Sequence, residues 1–183
     1  MKQYRVAVVV GSLREQSYNR QLAHALVSLF PAHIQCEFVS IGSLPLYNQD
    51  CDAQPPAEVL AFKQQISQAD GVIFVTPEYN RSIPGVLKNA LDQGSRPWGQ
   101  NSWDNKPAAV IGTSAGAMGT AMSQQHLRNV LAFLNMPTLN QPEMYLQWYD
   151  GMIGENGKFS EKTGAFVQKW ADAYVRFLEA HHE

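Results

Sequence analysis

Ser12, Arg14, Ser17 and Asn19 crowd hydrogen-bond donors into one short stretch directly after the apolar run Val6-Ala7-Val8-Val9-Val10. A helical pattern begins near Ser17, so these donors stand where a helix starts and its first N–H groups lack partners. Such a position carries partial positive charge and suits a phosphate group. Ser12, Ser17 and Asn19 offer neutral hydrogen bonds, and Arg14 offers a charge-assisted one. The plainer reading makes Ser17 an N-cap and Gly11 a turn residue. Capping alone does not call for so many donors.

Two common phosphate loops are excluded. No G-x-x-x-x-G-K-[ST] occurs, which argues against an ATP-binding P-loop. The first turn also lacks G-x-G-x-x-G, the glycine floor of a dinucleotide site. No cysteine opens the loop as a nucleophile, which excludes a low-molecular-weight phosphatase. What remains is a loop for one terminal monophosphate, and a mononucleotide such as FMN fits it.

Two further loops carry ligand-facing chemistry. Thr76-Pro77-Glu78-Tyr79-Asn80 combines a proline, an acid, an aromatic ring and an amide. Tyr79 is placed to flank a flat heterocycle, and Asn80 or its N–H to meet a ring nitrogen. Read as structure alone, the segment is a turn with a surface tyrosine. Thr113-Ser114-Ala115-Gly116-Ala117-Met118-Gly119 is a run of small residues that lets a planar ligand approach the backbone closely. Gly116 and Gly119 also fit plain turn positions.

The elements that must position these loops alternate along the chain. Strands are expected at 4–10, 37–41, 71–76, 108–114 and around Pro137-Thr138-Leu139. Helices are expected at about 17–30, from Pro56 to the break at Ala69-Asp70, from Ile83, at 120–134 and at 161–180. Short apolar strands between helices predict an α/β fold, a parallel sheet covered on both faces in three layers. Five strands in this order fit the flavodoxin-like, doubly wound arrangement 2-1-3-4-5, whose ligand sits at the switch between strands one and three. The three loops follow strands one, three and four and would meet at the carboxyl edge.

The 183 residues fit a single domain, 1–183. A formal charge of −2, with no Lys/Arg run, implies no general affinity for nucleic acid or anionic membrane. No apolar segment approaches the ~20 residues of a membrane span, and the first strand leaves no room for a signal peptide. Cys36 and Cys51 form no metal or redox motif and read as free thiols in a reducing, cytoplasmic setting. His24, His33, His126, His181 and His182 show no ligand spacing, so no metal is expected.

Gly11-Ser12-Leu13-Arg14 with Ser17 and Asn19, followed by the long segment from Pro77-Glu78-Tyr79-Asn80 through Leu87-Lys88-Asn89-Ala90-Leu91-Asp92, resembles the NADPH-dependent FMN reductase family. The likeness is strongest to its bacterial quinone, chromate and azo-dye reductases and runs from strand one to about Glu143. It implies non-covalent FMN, NADPH or NADH as co-substrate, a small-molecule electron acceptor, and a homodimer or homotetramer with flavin near the interface. Position by position, it places the phosphate on Ser12, Arg14, Ser17 and Asn19. The flavin ring falls on Pro77, Glu78, Tyr79 and Asn80, and on Ser114, Ala115 and Gly116. The chain departs from the family where Arg81 replaces a frequent aromatic residue and Gln93 a frequent tryptophan.

The chemistry would then reside in the flavin: ping-pong hydride transfer through N5 to quinone, chromate, azo or nitro compound, or free flavin. No catalytic side chain is required. Arg14 or Arg81 would favour a phosphate-bearing nicotinamide nucleotide. The alternative is a flavodoxin-type electron carrier, which shares fold and cofactor but tends to be strongly acidic. A scaffold module that kept only the fold would have little reason to retain all three loops. Trp98 and Trp103 are expected at the subunit contact.

Overall fold

In the computed structural model, which describes residues 2–183, five strands form one parallel sheet. They are β1 (Tyr4–Val10), β2 (Ile34–Val39), β3 (Gly71–Val75), β4 (Ala108–Ser114) and β5 (Tyr145–Gln147). Their order is β2-β1-β3-β4-β5, the flavodoxin-like arrangement expected. The helices are α1 (Tyr18–Val27), α2 (Ala57–Gln68), α3 (Gly85–Ser95), α4 (Ala121–Phe133) and α5 (Glu161–Ala180).

Side-chain alternation along the strands divides the core in two. Ala7 and Val9 of β1, with Val72 and Phe74 of β3, pack against Phe62 of α2, Leu87 and Leu91 of α3 and Leu127 of α4. Val6, Val8, Ile73 and Val75 face the other way, against Leu22 and Leu26 of α1 and Trp170 and Tyr174 of α5. β3 is buried along its full length, as its unbroken apolar run requires of a central parallel strand.

Register positions the loops. Val10 pairs with Val75, and Val75 with Ile111, so β1 and β3 end at one level and β4 runs on past it to Ser114. The Gly11 N–H donates to the Val75 carbonyl at 2.9 Å and the Thr76 N–H to that of Ile111 at 3.0 Å, extending the ladder past the strand ends. Gly112 is obligatory here. A Cβ at Gly112 would stand 2.2 Å from the Thr76 carbonyl oxygen and 2.4 Å from Thr120 Oγ1.

Three expectations need correction. The strand proper at the sheet edge is 145–147, not 137–139. Residues 137–139 do touch the sheet: the Ala108 N–H donates to Pro137 O at 2.7 Å and the Leu139 N–H to Ala108 O at 2.8 Å. The chain then leaves the sheet through Pro142, which has no ladder donor, and returns beside Gly112–Ser114. β2 begins at Ile34 rather than Glu37, because the exposed polar residues Gln35 and Glu37 of this edge strand mask its apolar pattern. α1 ends at Val27, where the Leu29 N–H closes a tighter turn on Leu26 O ahead of Pro31.

Candidate functional site

Ser17 caps α1: its Oγ accepts the Arg20 N–H at 3.2 Å. The hydroxyl hydrogen stays free to donate. Among the described residues, the Tyr18 and Asn19 N–H groups at the helix head meet no acceptor. Ser12 is buried beside them. The Arg14 guanidinium lies 4.7 Å over the Tyr18 ring and donates to the Gln16 carbonyl. Tyr18 in turn stacks on Trp148 at 4.4 Å and 19°. This three-layer stack holds an otherwise flexible arginine at the loop.

Asn19 does something the sequence did not reveal. Its Oδ1 accepts the Thr113 N–H at 3.0 Å and its Nδ2 donates to the Thr113 carbonyl at 2.9 Å. The side chain ties the head of α1 to the end of β4. One Nδ2 hydrogen is left over, so holding two loops in place occupies most of its bonding capacity.

The second loop is fixed from α4. Glu78 Oε2 accepts the Ser123 N–H at 3.1 Å, and Ser123 Oγ donates to Pro77 O at 2.9 Å. A carboxylate at an N-terminal helical N–H is favoured by the helix dipole, and Thr120, the N-cap residue, makes no capping bond with its own side chain. Tyr79 and Ser82 exchange two backbone hydrogen bonds of 2.9 Å around Asn80 and Arg81. Their φ values of 52° and 67° make a tight hairpin turn. Asn80 suits the left-handed region and Arg81 does not, so the departure at Arg81 falls on a strained position.

In the third loop, Ser114 Oγ donates to Gly116 O at 3.1 Å and Gln147 Nε2 to Ala115 O at 3.2 Å. Above Gly116 there is open space, since a Cβ there would meet nothing nearer than Ser114 Oγ at 3.9 Å.

The loops enclose a cleft of about 260 Å³. Ser12, Arg14, Ser17, Asn19, Pro77, Glu78, Tyr79, Ser114 and Ala115 line it. Asn80 and Gly116 do not: Asn80 is turned out at the hairpin tip, and Gly116 lies at the rim. Tyr18 and Thr113 also line the cleft. Tyr18 was legible only as a helix residue, whereas Thr113 opens the small-residue loop already read as a ligand loop. Among the described residues, no group of three or more His, Cys, Asp or Glu side chains is arranged to hold a metal. Among the described residues, no helix is long and apolar enough to cross a membrane.

The donor set suits FMN. Free hydroxyls, a guanidinium and open helix-head N–H groups gather at one end, as a phosphate needs. A half-exposed tyrosine ring and small-residue backbone stand at the other, as a flat ring system needs.

The two loop tryptophans part company. Trp103 is fully buried between Phe62 and Phe74, and its Nε1–H donates to Leu91 O at 3.0 Å. Gly94 makes room for it, since a Cβ there would lie 2.4 Å from Trp103 Nε1. Trp103 is therefore core, not contact surface. Trp98 is 81% exposed. Gln93 is buried too and donates to Pro45 O at 2.9 Å, which Asn89 also does at 2.9 Å. In place of tryptophan packing, Gln93 pins the loop after β2.

A family model described as NADPH-dependent FMN reductase matches residues 4–150. The chain is 56% identical over 175 residues to a 2-hydroxy-1,4-benzoquinone reductase of a Burkholderia species, covering 95% of this chain and 96% of that one. A quinone reductase of Pseudomonas putida is 47% identical over 177 residues, covering 96% and 95% of the two chains. Among solved structures, the flavoenzyme NAD(P)H:(acceptor) oxidoreductase of Paracoccus denitrificans superposes with a TM-score of 0.94 at 45% identity, covering 97% and 98%.

Proposed function

The chain belongs to the NADPH-dependent FMN reductase family, and on that premise we propose that the three-loop cleft serves NAD(P)H-dependent reduction of quinones. It is an NAD(P)H-dependent oxidoreductase with FMN as cofactor. The observation that carries the reading is the convergence of a phosphate-suited end and a ring-suited end in one cleft.

Ser12, Ser17, Arg14 and the head of α1 hold the phosphate, with Asn19 setting the distance between this loop and β4. Pro77, Glu78 and Tyr79 form one wall for the ring. The Ser114–Ala115 backbone would form the other, its N–H groups offered to negative charge that develops on reduction. The chemistry supplied by bound FMN is uptake of a hydride from the nicotinamide and delivery of two electrons to the acceptor. Glu78 accepts the Ser123 N–H and so braces this loop against the start of α4. Coenzyme and acceptor would occupy the cleft in turn. Chromate, azo and nitro compounds and free flavin are further acceptors on this reading. Initial rates with NADPH or NADH against 1,4-benzoquinone test it: parallel double-reciprocal lines are expected, and no quinone-dependent oxidation would refute it.

The reading includes a homodimer or homotetramer. Trp98 and Phe133, about four-fifths exposed, border a groove of about 800 Å³ between the outer faces of α3 and α4, toward the C-terminal ends of both helices. Exposed aromatic residues around such a groove favour a protein contact. Unbridged Cys36 and Cys51 support a cytoplasmic setting.

A further inference from the structure

Ser82 and His126 meet outside the lining of the flavin cleft, in a contact the proposed reaction does not use. The Ser82 hydroxyl and His126 Nδ1 stand 2.6 Å apart. A hydroxyl both donates and accepts, so the bond forms with either state of the ring nitrogen. A bare Nδ1 accepts the O–H, and an Nδ1–H donates to the oxygen. Among the described residues, this is the only side-chain hydrogen bond of either residue.

The place of the bond on α4 gives it a consequence. His126 follows Ser123 by three residues, so the two are neighbours on one face of the helix. Ser123 grips the near end of the ring loop, its N–H donating to Glu78 Oε2 and its Oγ to Pro77 O. His126 grips the far end at Ser82. One helix thus holds the segment 77–82 at both ends. The grips are unequal: Ser123 is buried, whereas His126 is exposed and Ser82 half-buried.

The backbone between the grips needs holding. Tyr79 and Ser82 exchange two backbone hydrogen bonds, and Asn80 and Arg81 between them both have positive φ. Such conformations persist only where the surroundings over-determine them. The paired backbone carries any displacement of Ser82 to Tyr79. Tyr79 lines the flavin cleft but is 52% exposed, so packing alone does not fix it.

We infer that His126 is a positioning residue for the flavin ring: through Ser82 it sets Tyr79 as the wall of the cleft. It therefore acts on ring binding and not on phosphate binding. The inference rests on the proposed role of Tyr79 as a ring wall and extends it to what holds that wall.

Fluorescence titration of the FMN-free protein with FMN and with riboflavin tests this without turnover. His126→Ala should weaken both ligands by the same factor, about two- to tenfold, the range of one neutral hydrogen bond. Ser82→Ala should do the same, and the double variant should lose no more than either alone. His126→Asn, whose amide head reaches where Nδ1 stands, should restore binding. In a Tyr79→Ala background, His126→Ala should have no further effect. Unchanged riboflavin binding in His126→Ala, a loss confined to FMN, or an effect that survives Tyr79→Ala would overturn the inference. Tyr79→Ala that itself leaves riboflavin binding unchanged would refute the ring wall, and the inference with it.

Discussion

Asn19 and Thr113, 94 residues apart in sequence, are joined by two hydrogen bonds, one in each direction between a side-chain amide and a backbone peptide. The pair bolts the phosphate loop to the ring loop and is buried on both sides. Asn19→Ala should therefore destabilise the FMN-free protein by about 2–4 kcal/mol, since a buried N–H and carbonyl lose their partners together. Urea unfolding of the FMN-free form reads this. A residue that touched only a phosphate would leave that form unchanged.

Arg14 should act on the cofactor, not on the fold. Arg14→Ala removes a charge-assisted bond of about 1.5–3 kcal/mol and should raise the FMN dissociation constant roughly ten- to a hundredfold. Riboflavin, which has no phosphate, should bind both proteins alike in a fluorescence titration. An equal loss for riboflavin would show that the arginine serves the Tyr18–Trp148 stack instead.

Trp103 and Trp98 should separate stability from assembly. Trp103→Ala removes a fully buried indole and should cost about 3–5 kcal/mol. Trp98→Ala combined with Phe133→Ala should leave the protomer folded and shift light scattering toward the monomer mass. A wild-type monomer with full quinone reductase activity would rule out the assembly.

The two thiols should differ in reactivity and in pH dependence. Burial pushes Cys36 up to about 12 from an ordinary 9.0, while Cys51 is exposed. At pH 8, a thiol reagent should modify Cys51 promptly and Cys36 only on unfolding. The folded-state value is the higher one, so the stabilising contribution is intact below about 9 and is lost as pH rises toward about 12. Cys36→Ser should flatten that part of the stability–pH curve.

The sheet was legible because its central strands are unbroken apolar runs, of which Val72-Ile73-Phe74-Val75 is the plainest. β1 and β4 keep their expected bounds, and β3 stops one residue short. The cleft was legible because a parallel sheet sends its loops to one edge. Two things were not. The edge strand β5 is short and interrupted, with Pro142 between its two contacts to β4, so no periodicity announces it. The roles of Asn19, Glu78 and Trp103 depend on partners distant in sequence: Thr113, Ser123 and Leu91. Residue type showed that these groups must bond to something. Only the fold showed that they bond to the chain itself.

The most direct measurement mixes the purified, FMN-loaded protein anaerobically with NADPH and then with 1,4-benzoquinone, following the yellow flavin absorbance. The account predicts that NADPH alone bleaches the colour and that quinone restores it in equal amount. A colour that NADPH leaves unchanged, or one that quinone does not restore, would contradict it.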